Sequence, residues 1–97
     1  MTDHEQKRRG ENAKQLLENP LFQEAWDAVR ARLLLLMETA QTDEATIKAK
    51  LAIGLLNDLR GHWARIVNNG AVAAETIRFE EAQAKVKRKW FRNGTEN

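Results

Sequence analysis

The chain contains no cysteine, no serine and no tyrosine. Without cysteine there are no disulfides, thiolate metal sites or cysteine nucleophiles, and without serine the commonest hydroxyl nucleophile is gone. One proline, at position 20, and five glycines offer few points at which a helix must stop. The longest unbroken apolar run, Leu33 to Met37, falls far short of a bilayer span. An excess of one charge sign is missing too. Lys plus Arg is 16 against 14 for Asp plus Glu, a net charge of +2, too balanced for a chain whose whole surface binds nucleic acid. There are two histidines, and no His-Glu-x-x-His, phosphate loop or dinucleotide fingerprint. The expectation is a protein that is not an enzyme, with no catalytic, metal-ligating or cofactor-binding residues.

What is present is helical. Ninety-seven residues, 42% apolar and 31% charged, make one folded, charge-rich domain. Residues 1–9 are charged, with no apolar core behind them, so they read as a mobile segment and not as a signal peptide. Gly10 to Glu18 reads as a short polar helix gripping through Ala13, Leu16 and Leu17. At Asn19-Pro20 a good N-cap precedes a proline at the first helical position, so a second helix starts there. It runs to about Ala40 on a stripe of Phe22, Trp26, Val29, Leu33, Leu36 and Ala40.

Thr42 caps a third helix, with Asp43 and Glu44 placed at its positive end. Its stripe is Ala52, Leu56, Leu59, Trp63 and Ile66, widened by Ile47, Leu51 and Leu55. Asn68-Asn69-Gly70 reads as its stop, since Asn and Gly take the left-handed conformation readily. A last helix runs from about Ala71 to Phe91 on a weaker stripe of Val72, Thr76, Phe79, Gln83, Val86 and Trp90. Nothing alternates with period two. The expected fold is therefore all-α: a small antiparallel helical bundle over residues 10–92, with a short leading helix, three longer ones, a central hairpin and a tail at 93–97. Asn93-Gly94-Thr95 fits a glycosylation sequon by chance in that tail.

Several constellations could carry function. Lys85, Lys87, Arg88, Lys89 and Arg92 put five positive charges and no negative one around Val86, Trp90 and Phe91. Basic residues near a helix C-terminus complement its dipole. They also suit an anionic partner, either phosphate backbone or an acidic protein surface. Trp90 sits among them as either core or contact, whereas Trp26 and Trp63 fall on the main stripes. Leu33 to Leu36 wrap the whole circumference of their helix at about 100° per residue. Leu34 and Leu35 therefore ask for a second partner. Gly54 and Gly61 lie seven residues apart on one face, where each costs about 1 kcal/mol relative to alanine, and close approach of another helix would explain them. His62 reads as a surface or interfacial histidine. Glu80 and Glu81 diverge by about 100° and cannot act as a pair.

Ala13-Lys14-Gln15-Leu16-Leu17-Glu18-Asn19-Pro20-Leu21, then Leu59-Arg60-Gly61-His62, then Asn69-Gly70-Ala71-Val72-Ala73-Ala74 resemble a loose group of small helical proteins of tailed phages and prophages. The group has no assigned activity. The resemblance covers about residues 13–74 and implies a phage setting and a part in building or packaging the particle. The basic end lies outside it. The expectation is a non-enzymatic, homo-oligomeric assembly protein: scaffold-like, a packaging accessory or a small virion component. It would act in the cytoplasm of the bacterial host or in the virion. Its partners would be a phage structural or packaging protein, with nucleic acid as a further candidate and no membrane. The alternatives are a small regulator binding nucleic acid or a host protein, and a small terminase subunit.

Overall fold

Three helices, two in line and one antiparallel alongside them, make up the structure, a computed structural model that describes residues 1–95, with side chains described as far as Trp90. They are α1 (Asp3–Glu18), α2 (Pro20–Glu38) and α3 (Asp43–Thr95). No strand occurs among the described residues. The all-α class holds, but two of the expected boundaries are absent: the loss of one lengthens the first helix, and the loss of the other merges the last two, leaving three helices and not four.

The first is the charged segment over 1–9, most of which belongs to α1. Thr2 accepts a hydrogen bond from the Glu5 N–H (3.2 Å), and the Glu5 carboxylate accepts one from the Thr2 N–H (3.4 Å). This reciprocal capping box satisfies two amides that a helix start leaves unpaired. The second is Asn68-Asn69-Gly70, where α3 runs straight through. No described residue has positive φ, so Gly70 does not take the left-handed turn that ends a helix. The helix persists because α1 packs against it there. A Cβ on Gly70 would lie 2.6 Å from the Gly10 Cα and 2.9 Å from the Gln6 carbonyl oxygen. Two helix backbones touch at this crossing, which only glycine on both sides permits.

The remaining boundaries follow local chemistry. Asn19 precedes a proline, which disfavours helical backbone, and it is extended with φ −66° and ψ 123°. Its side chain then accepts from the N–H groups of Leu21 (2.9 Å) and Phe22 (3.2 Å). Gln23 Nε2 donates to the Leu17 carbonyl (3.0 Å), occupying an acceptor left open where α1 stops. The Thr39 hydroxyl closes α2 by donating to the Leu35 carbonyl (2.8 Å), and Thr42 Oγ1 opens α3 by accepting from the Ala45 N–H (3.1 Å).

The four-residue connection between α2 and α3 folds them back as antiparallel neighbours. Gly10 meets Gly70 while Leu17 lies by Arg60, so α1 also runs antiparallel to α3. One arm of the hairpin is thus α3, and the other is α1 and α2 end to end, broken at Asn19. The molecule measures 84 × 25 × 17 Å, with a radius of gyration of 22.9 Å; a compact chain of this length has about 12.5 Å.

The interior is correspondingly thin. Ala13, Trp26, Ala49, Ala73 and Ile77 are its buried apolar residues. At the α1–α2 junction Phe22, Trp26 and Trp63 cluster, with Phe22 edge-on to Trp63 at 5.1 Å and Trp26 at 6.0 Å from Trp63. Along α1 the seam centres on Gly10 against Gly70, with Ala13, Ala73 and Ile77 buried and Leu17, Ile66 and Val67 half-buried. The expected last stripe is not the packed face: Val72, Phe79, Val86 and Trp90 are all exposed.

Candidate interaction surface

Beyond Ile77 every described side chain of α3 is exposed. The helix leaves α1 behind and projects for about 20 Å to Trp90, at 1.5 Å per residue. Lys85, Lys87, Arg88, Lys89 and Trp90 all stand on this projection, and Trp90 is 76% exposed. Trp90 is therefore not core. At about 100° per residue, Lys89 and Lys87 fall on either side of the stripe formed by Val86 and Trp90. The result is an apolar strip edged by ammonium groups. None of the four cations takes part in a salt bridge among the described residues; those present, Glu44–Lys48 and Glu75–Arg78, are exposed pairs elsewhere on α3. Arg88 Nε donates to the Ala84 carbonyl at 3.4 Å. Arg92 and the tail expected over 93–97 lie outside the described side chains.

The residues singled out for self-association are distributed differently. Leu34 is half-buried, while Leu35 is exposed. Gly54 and Gly61 have no atom within 4 Å of a Cβ built on them, so no helix of the same chain packs there. The glycines that do meet a backbone, Gly10 and Gly70, were assigned other roles: one as a helix start, the other as a stop. Their spacing gives no periodic signal, because they lie on different helices.

Sequence reasoning also missed a ridge. Ile47, Leu51, Leu55 and Leu59, each four residues from the next, are 57%, 63%, 69% and 45% exposed. All four appear as core residues when the stripe is read from periodicity alone. In the folded chain the core-facing side of α3 is held instead by Ala49, Ala52, Ile53 and Leu56.

His62 is exposed and stands alone. Among the described residues no group of three His, Asp or Glu side chains could hold a metal ion, and no helix is long and apolar enough to cross a membrane. Among the described side chains, the buried polar atom without a hydrogen-bond partner is the Trp26 indole nitrogen, with the Arg60 guanidinium 6.0 Å from its ring centre. No family model, curated protein or solved structure matches the chain.

Proposed function

We propose that this chain is a non-enzymatic phage assembly protein that works as an oligomer, and that the basic end of α3 docks it on an anionic partner. The observation carrying this reading is the projection of α3 past Ile77: a rigid helical arm, fully exposed, ending in Lys85, Lys87, Arg88, Lys89 and Trp90. An arm held only by its own hydrogen bonds and tipped with paired apolar and cationic groups suits a contact with another macromolecule. The elongated form suits a spacer or scaffold-like role in which the docking end and the body meet different partners. The helical bundle expected from the sequence would then be completed between copies, since one chain supplies only two helices at any cross-section. The particle setting rests on the phage resemblance of residues 13–74.

Deletion of the coding sequence from the genome that carries it, followed by induction and counting of complete particles, tests the reading. Complete particles should be lost. The parent chain should restore them, and a variant with glutamine at Lys85, Lys87, Arg88, Lys89 and Arg92 should not. Normal particle yield from the deletion refutes the assembly role. Altered transcript timing with normal particles assigns the chain to the regulatory class.

A further inference from the structure

We propose that a second copy of this chain seats on the α3 face formed by Ile47, Leu51, Leu55 and Leu59, with Gly54 at the closest approach of the two α3 helices. This deepens the self-association part of the preceding reading and does not depend on the basic end.

Three observations converge on a second copy. The first is area. A compact monomer of 11.1 kDa exposes about 5,700 Å², whereas this chain exposes 8060 Å². The surplus is about 2,400 Å², and a stable dimer removes roughly 800 Å² from each partner. Part of the surplus lies on the projecting end of α3 and part on the α2–α3 hairpin, where Val29, Leu35 and Leu36 are exposed besides the ridge.

The second is the form of the ridge. Residues spaced by four make the row that fits the matching groove of another helix in the commonest class of helix packing, crossing at about −50°. The neighbouring row, Thr46, Lys50, Gly54 and Asp58, is interrupted at Gly54, where no atom lies within 4 Å of a built Cβ, and the exposed Lys50 and Asp58 stand on either side of that gap. One helix thus carries both halves of a self-complementary contact. The leucine ridge of each copy fits the gap at Gly54 of the other, as a two-fold interface requires.

The third is the comparison within the molecule. Where α3 carries Gly70 it meets the α1 backbone, and the helix-weakening cost of glycine is offset by contact. Gly54 and Gly61 carry the same cost with no partner in their own chain, and Gly54 is the one beside Leu51 and Leu55 of the ridge. A second α3 supplies that partner.

The full-length chain is examined by sedimentation equilibrium between 1 and 100 µM, concentrations on the order of those at which standard interfaces assemble. The parent should sediment at twice the mass of one chain. Leu51→Glu with Leu55→Glu should sediment as one chain with unchanged helical content, since both side chains already face water in the single chain. Gly54→Leu is a second readout: its side chain fills the point of closest approach and should shift the chain to single-chain mass, whereas Glu81→Leu, on the projecting end of α3, should not. A parent of single-chain mass throughout overturns both this interface and the self-association reading. A double-glutamate variant that remains dimeric, or a Gly54→Leu chain that does, overturns this face while leaving self-association in place.

Discussion

Gly70→Ala sets a helix-propensity gain against a steric loss, and the crossing geometry decides the sign. Alanine in place of a helical glycine gains about 1 kcal/mol from backbone entropy alone. The added methyl would lie 2.6 Å from the Gly10 Cα, 2.9 Å from the Gln6 carbonyl oxygen and 3.2 Å from the Gly10 nitrogen. Carbon atoms rest about 3.5–4.0 Å apart, so α1 must move out by about 1 Å. All three obstructing atoms are backbone, which no rotamer change relieves. Overpacking of this kind costs about 1–3 kcal/mol. The net loss is up to about 2 kcal/mol, a fall in Tm of up to roughly 16 °C for a domain of this size. Gly61→Ala is the matched control. With open space around it, the same methyl should raise stability by up to about 1 kcal/mol. Urea titration followed by circular dichroism gives the two signs, and amide exchange should show the Gly70→Ala loss along α1. Because Gly10 and Gly70 touch each other, Gly10→Ala added to Gly70→Ala should cost less than the sum of the single changes. If Gly70→Ala and Gly61→Ala stabilise equally, the two backbones are not in contact and the account of why α3 is continuous fails.

Three further outcomes are expected. Thr2→Ala removes the hydroxyl that accepts from the Glu5 N–H and should cost about 1 kcal/mol, seen as faster amide exchange confined to the first turns of α1; unchanged exchange there refutes the cap. Trp26→Ala empties the most buried position of the aromatic cluster and should cost about 3–5 kcal/mol by urea unfolding, with a loss under about 1 kcal/mol showing that the cluster does not hold α1 and α2 to α3. Glutamine at Lys85, Lys87, Arg88, Lys89 and Arg92 should leave the circular dichroism spectrum unchanged. If the partner is duplex DNA, log K against log salt for the parent should fall with a slope of about −0.9 per neutralised phosphate; for an acidic protein the slope is shallower and Trp90→Ala weakens binding more. A variant that binds every anionic partner as the parent does refutes the docking role of this end.

The projecting end of α3 shows how much of the candidate surface is legible in residue order. The run from Lys85 to Arg92 stands out as a charge cluster in the sequence, but Val86 and Trp90 also continue a helical stripe, which leaves core and contact as equal readings. Their exposure shows only in the folded chain, where no described side chain of α3 beyond Ile77 is buried or half-buried. The Ile47–Leu59 ridge shows the reverse. Periodicity places these side chains on a broad apolar face, and only the narrow seam with α2, lined by Ala49 and Ala52, leaves them outside. An apolar stripe states that a helix needs a partner. It does not state whether that partner belongs to the same chain.

The sequence by itself determined the helical class and the local boundaries at Asn19-Pro20 and Thr42-Asp43. Those boundaries depend on a pre-proline restriction and on side-chain caps that reach no more than three residues. The Thr2–Glu5 box has the same local character and was readable in principle, though the surrounding charge suggested mobility. Tertiary structure alone decided that α3 does not end at Gly70. An Asn-Asn-Gly run is compatible with a left-handed stop and with a continuing helix, the two differing by an amount comparable to one packing contact. The choice is made by Gly10, far upstream in the chain, whose backbone touches Gly70 only once α1 has folded back along α3. A local preference of about 1 kcal/mol yields to a non-local contact that no short window of sequence contains.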